Sequence, residues 1–160
     1  MGSRSKIDLA YIAGFLDGDG SLMLQLKSRA KENLPHRLMF TICFYQDSRH
    51  KKPLSWIRDK FGIGYLSDRN DGITELRING YLQTKNILGA LLPYIRFKNI
   101  QARAMYEAAS MMCDKRYLRK LNAVDKRKLL KYILDVQKSN YIAKRKKTEQ
   151  ELSKILGLTP

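Results

Sequence analysis

Two cysteines and two histidines are all that this 160-residue chain contains of either type. Cys43 and Cys113 stand far apart, with no Cys-x-x-Cys or Cys/His cluster, so nothing points to structural zinc and a reducing interior compartment is the simplest reading. His36 and His50 are too few for a histidine-dense nuclease centre. Acid is also scarce: 15 Asp and Glu face 31 Lys and Arg, leaving a formal net charge of +16. No apolar run approaches the roughly 20 residues of a spanning helix, so no membrane partner is expected. What is present is a hydrophobic fraction of 44%, enough for the core of one domain. Unbalanced positive charge repels itself and is relieved by a polyanion. Nucleic acid is the default partner, and a ribosomal or general RNA-binding protein would share the charge.

Periodicity organises the chain. Ile7 to Leu16 is apolar and predicts a short helix, with Asp8 as N-cap and an end at Asp17-Gly18-Asp19-Gly20. Its small residues Ala10, Ala13 and Gly14 fall at helical spacing, which permits close approach of another backbone. Leu22, Leu24 and Leu26 then alternate with Met23, Gln25, Lys27 and Arg29. Leu38, Phe40, Ile42 and Phe44 alternate with Arg37, Met39, Thr41, Cys43 and Tyr45. Both runs have the period of half-buried strands. A helix follows Pro53 and stops at Gly62. A second hairpin joins Gly64–Arg69 to Thr74–Asn79 through Asn70-Asp71-Gly72. Tyr81–Leu92 and Asn99–Cys113 predict two more helices, the latter with Ile100, Ala104, Ala108 and Met111 as its apolar positions. The expected fold is α+β, with an αββαββα core and a curved four-stranded antiparallel sheet. Basic C-terminal helices are expected from about residue 114. Residues 1–6 read as an N-terminal extension of tag-derived character, and 7–160 as one domain.

The segment Ile12-Ala13-Gly14-Phe15-Leu16-Asp17-Gly18-Asp19-Gly20 resembles the LAGLIDADG motif. Ala13, Gly14, Asp17, Asp19 and Gly20 match it outright, and Gly18 stands where the eponymous motif has alanine. With the α-β-β-α-β-β-α order around it, the chain is similar to LAGLIDADG homing endonucleases of the single-motif, homodimeric branch, over about Ile7 to Cys113. A calcium-binding loop is the competing reading of Asp-Gly-Asp-Gly, but Leu22, Met23, Leu24 and Leu26 follow where oxygen ligands would be needed.

The resemblance implies a function and its residues. Two motif helices would pack across a two-fold axis through Ala10, Ala13 and Gly14, with Asp17 structuring the helix ends. Two copies of Asp19 would then meet and, with the Gly18 carbonyl, hold Mg²⁺, for which Mn²⁺ or Ca²⁺ substitutes in binding. Gln46 would orient the attacking water and Lys98 would stabilise charge on phosphate. Arg49 or His50 matches a further basic position. The sheet would enter the major groove of duplex DNA and present Met23, Gln25, Lys27, Arg29, Arg37, Met39, Thr41, Cys43, Ser67, Arg69, Glu75 and Arg77. The implied activity is a metal-dependent double-strand break in a long pseudo-palindromic site, leaving 3′ overhangs. No small-molecule substrate is expected. The location is intracellular, in a chloroplast or mitochondrion for an organellar intron product. A non-cleaving binder on the same scaffold, such as an RNA-splicing maturase, is the alternative.

Overall fold

A computed structural model of the chain describes residues 5–28, 35–140 and 146–158. Arg29 and part of the basic run Lys144–Lys147 lie outside the described residues. Helix α1 spans Lys6–Asp19, one turn longer at its end than the sequence predicts. Its N-cap is Ser5, whose hydroxyl accepts from the Asp8 backbone N–H at 3.0 Å. Asp8 therefore lies in the first turn, where it pairs with Lys60 at 2.8 Å. The glycines do not stop the helix. Gly20 is extended at φ −118°, and its need is steric: a Cβ there would sit 2.6 Å from the Leu16 side chain. Helix thus passes into strand without a loop.

Strand β1 (Gly20–Lys27) pairs antiparallel with β2 (Arg37–Asp47), from Gly20 opposite Phe44 to Lys27 opposite Arg37. Strands β3 (Tyr65–Asp68) and β4 (Ile73–Asn79) form the second hairpin, and Gly72 at φ +79° makes its turn. The sheet order is β1-β2-β4-β3, so β2 and β4 are central. All pairings are antiparallel, as the alternation requires.

One sheet face carries Leu22, Leu24, Leu26, Phe40, Ile42, Phe44, Leu76 and Ile78, all buried. Helices cover it: α1, then α2 (Lys52–Phe61), α3 (Tyr81–Leu91), α4 (Asn99–Lys115) and α5 (Ala123–Ser139). Each buried Leu, Ile or Phe contributes on the order of 2 kcal/mol. Gly62 at φ +67° closes α2 where the sequence placed its stop. In α4 Ala104 and Ala108 are buried as expected, together with Ala102, Met105, Ala109 and Met112, and Met111 packs against this core, whereas Ile100 is 61% exposed instead of packed. The Asn140 side-chain amide donates to the Leu22 carbonyl at 2.9 Å and so fastens the end of α5 to the edge strand β1. Helix α6 (Glu149–Leu156) starts with a capping box of Thr148 and Glu151. Among the described residues, no helix is long and apolar enough to cross a membrane.

Candidate catalytic centre and nucleic-acid interface

The chemistry gathers where α1 meets β1. A helix C-terminus carries partial negative charge, so acids in its last turn are unfavourable unless something offsets them. Helix α1 ends with both Asp17 and Asp19 and has no basic residue in that turn. Asp17 is 8% exposed and points inward. Its carboxylate accepts from the backbone N–H groups of Arg96 at 2.6 Å, Phe97 at 3.2 Å and Lys98 at 3.0 Å. These donors belong to the bend 96–98 that leads into α4, so the acid at the end of one helix fixes the approach to another. The Lys98 ammonium donates back to the Asp17 backbone carbonyl, closing the joint from the other side. Burial pushes the Lys98 ammonium below its ordinary value, and the Asp17 and Asp19 carboxylates act in the opposite direction.

Asp19 is placed differently. Its side chain is exposed and held by no hydrogen bond or ion pair among the described residues. Gly18, beside it, belongs to the last turn, whose carbonyls lack intrahelical donors. A carboxylate, a free carbonyl and no imidazole or thiolate make a donor set suited to a hard cation. One chain supplies only part of such a site: no cluster of three or more His, Cys, Asp or Glu occurs among the described residues.

Gln46 lies two residues beyond Phe44, the partner of Gly20, and so reaches the same end of the sheet. Its carbonyl oxygen accepts from the Asp47 N–H at 2.9 Å, leaving the side-chain NH₂ to donate outward. Arg49 is engaged with Asp47 through two nitrogens at 2.9 and 2.7 Å, whereas His50 is exposed. Of the two basic candidates here, Arg49 is therefore the one already committed within the chain.

The sheet's other face forms cross-strand rows. Lys27 lies beside Arg37, Gln25 beside Met39, and Met23 beside Thr41 and Asn79. Ser21, Cys43, Arg77 and Tyr65 form the next row, followed by Tyr45, Glu75 and Ser67. Gln25, Lys27 and Arg37 are exposed as expected, and Met23, Met39, Ser67 and Arg77 are half-buried. Arg69 is exposed in the turn past β3, paired with Asp71 at 2.7 Å. Three expected contacts need correction. Thr41 is 4%, Cys43 0% and Glu75 8% exposed. All three lie on strands with neighbours on both sides. Thr41 donates to the Asn79 side chain at 2.8 Å, Glu75 holds Arg77 at 2.8 Å, and Cys43 sits below the Ser21–Tyr45 hydrogen bond of 2.9 Å. Tyr45, Tyr65 and Asn79 share this face and were not singled out, although strand parity alone places them there.

The small face of α1 also needs correction. Ala13 is fully buried in the chain's own core, and Asp17 is spent on the bend before α4. The outward stripe is Ile7, Ala10, Tyr11, Gly14 and Gly18. Ile7 is 81% exposed, and a Cβ at Gly14 or Gly18 would meet nothing within 4 Å. Helical spacing of three and four residues contains this stripe, but α1 is apolar on both sides and spacing could not orient it.

Residues 12–102 match the family model described as LAGLIDADG endonuclease. The chain is 32% identical over 98 residues to the DNA endonuclease I-CreI of Chlamydomonas reinhardtii, covering 61% of this chain and 60% of that protein. It is 29% identical over 104 residues to the DNA endonuclease I-CvuI of Chlorella vulgaris, covering 65% of each. The matched part thus spans less than two thirds of either relative. In three dimensions, I-CvuI in complex with its target gives a TM-score of 0.78 at 24% identity, covering 97% of this chain and 98% of that one. The archaeal intron-encoded I-Vdi141I complexed with DNA gives 0.75 at 19% identity, covering 94% and 95%. At these identities the likeness establishes a shared homing endonuclease fold.

Proposed function

Because the chain belongs to the LAGLIDADG endonuclease family, we propose that it works as a homodimer that cuts both strands of a long, nearly two-fold symmetric DNA site. The observation that carries this reading is the division of labour at the end of α1. Asp17 is consumed inside the chain, while Asp19 stands outside beside an open stripe of small and apolar residues. A second copy packed on Ile7, Ala10, Tyr11, Gly14 and Gly18 would cover that stripe and set two Asp19 carboxylates side by side. Like charges so placed are costly without cations between them.

Asp19 and the Gly18 carbonyl from each chain would hold Mg²⁺, with Ca²⁺ or Mn²⁺ serving in binding. When bound, such ions supply Lewis-acid polarisation of the scissile phosphates and activation of water. The chain's own groups do the rest. Lys98, held against the Asp17 carbonyl, offers positive charge to phosphate oxygens as charge builds on them. Gln46 presents its amide donor toward the attacking water. The sheet supplies the site recognition, with Gln25, Lys27 and Arg37 reaching base edges in the major groove. Cutting across the minor groove would leave the 3′ overhangs of the family, in a compartment that contains DNA.

The test is selection of cleaved sites from a randomised duplex pool in the presence of Mg²⁺. A two-fold symmetric recovered site is expected, and Asp19→Asn should abolish cutting while duplex binding persists. A variant that still cuts at full rate, or wild-type protein that stays monomeric on its recovered duplex, overturns the reading. Binding by the wild type with no cutting would leave a non-cleaving binder on the same scaffold.

A further inference from the structure

We infer a second nucleic-acid contact away from the sheet face: the groove between the start of β2 and the end of α4 takes the phosphate backbone of duplex beyond the sheet. The inference rests on the duplex-DNA reading above. Arg37 starts β2 and pairs with Lys27 at the end of the sheet farthest from Gly20. Beside it lies a groove of about 370 Å³ whose lining includes Arg37, Tyr81, Arg116, Tyr117 and Arg119. An adjoining hollow of about 640 Å³ shares Tyr81, Arg116 and Tyr117. No acidic side chain lines either one.

Two features point to an anion here. The Arg119 guanidinium lies 5.1 Å and the Lys120 ammonium 5.5 Å from the Tyr117 ring centre, so one ring gathers two like charges. Neither these cations nor Arg116 forms an ion pair among the described residues. Both cations lie over the Tyr117 ring and Arg119 also lines the groove, so positive charge collects there with no acidic side chain against it, and a phosphate supplies the missing counter-charge. The second feature is Arg116 itself. At φ +65° it is the one non-glycine residue with positive φ among the described residues. It caps the C-terminus of α4, where helices favour glycine because a Cβ is disfavoured in that conformation. Local stability would be better served by glycine, and what arginine adds is a guanidinium lining both hollows. The groove opens beside Arg37, at the end of the β1–β2 ladder farthest from Gly20, so the backbone met there belongs to duplex flanking the bases read by the sheet.

Binding to a mixed-sequence duplex, measured across a series of salt concentrations, tests this. Each phosphate contact contributes about 0.9 to the slope of log affinity against log salt. The triple variant Arg116→Gly, Arg119→Ala, Lys120→Ala should lower that slope by roughly two to three. A charge-matched control on the exposed side of α5, Arg127→Ala, Lys128→Ala, Lys131→Ala, should change it by less than about one. Arg116→Gly alone should lower the slope by roughly one while its melting temperature holds or rises. Equal effects of the two triples, or an unchanged slope in Arg116→Gly, overturn the groove. Wild-type protein that fails to bind duplex at all overturns the endonuclease reading with it. Binding and cutting by the wild type, with no change in the groove variants, removes the groove alone.

Discussion

At the tip of the first hairpin, Gln25, Lys27 and Arg37 stand exposed and form no ion pair among the described residues, whereas farther along the same face Cys43, Tyr45, Glu75 and Arg77 close on one another. The strand order explains the contrast. Pairing of β2 with β4 begins only at Thr41, so Arg37 and Met39 have a neighbour on β1 alone. Thr41 and Cys43 are flanked by both β1 and β4 and Tyr45 by β4, and the Thr41 and Tyr45 hydroxyls find partners within the sheet. The end of α1 repeats the division two residues apart, with Asp17 bound by three backbone N–H groups and Asp19 bound by none. Direction along an element and availability for chemistry are separate properties. The closed groups hold the fold, and the open ones are left for a partner.

The strongest way to break this comparison is at the two acids. Asp17→Ala would strand three part-buried backbone donors in the bend before α4 and should cost about 3 kcal/mol, seen as a lower urea midpoint at unchanged slope. The same change at Asp19 should stay within about 0.5 kcal/mol of wild type in that measurement. A loss at Asp17 no larger than that at Asp19 would dissolve the distinction. The sheet gives the next largest effect. Gln25→Ala or Arg37→Ala should weaken binding to the recovered target by about 1–3 kcal/mol each and erase base preference at its outer positions. Ser21→Ala, at the closed end, should leave the recovered sequence unchanged. Smaller still is Glu75→Gln, which opens a closed position. Arg77 is about one third exposed, so losing the ion pair should cost about 1 kcal/mol of stability at most. The freed guanidinium should also broaden the set of cleaved sites, which pool selection would detect.

How far the sequence could reach follows the same line. Gly62, Gly72 and the strand alternation were legible because their causes are local: a backbone angle, a turn, a two-residue period. Asp19 was named through the motif and Lys98 through its position in the resembled family, since their approach joins residues 79 apart by way of Asp17, which no local pattern encodes. Burial of Thr41, Cys43 and Glu75 was not legible, because it depends on β4 lying against β2, which no local pattern encodes. Glycine chemistry misled at Gly20, whose missing Cβ serves the contact with Leu16 and not the end of a helix. Ala13 and Gly14 were indistinguishable by size, yet one is buried and the other open, because an evenly apolar helix does not declare which side meets the core.

The last effect vanishes at neutral pH: it is a titration, and its sign follows from burial. Burial pushes the Cys43 thiol above its ordinary 9.0, outweighing the nearby Tyr45 and Arg77, which act the other way. In the unfolded chain the thiol loses its proton through pH 9, while in the folded chain it keeps it to higher pH. The folded state therefore binds more protons in that window. The contribution is fully present below pH 9.0 and is lost as pH rises toward and through the folded value. Its size is up to about 1.4 kcal/mol per pH unit and less than that near the lower edge. Tyr45, also raised by burial from its ordinary 10.0, adds a loss of the same sign that begins at higher pH. Cys43→Ala should flatten the first part of the alkaline decline in urea midpoint and leave the tyrosine part standing. An unchanged decline in that variant would mean that water reaches the thiol, and that the closed end of the sheet face is less closed than its hydrogen bonds imply.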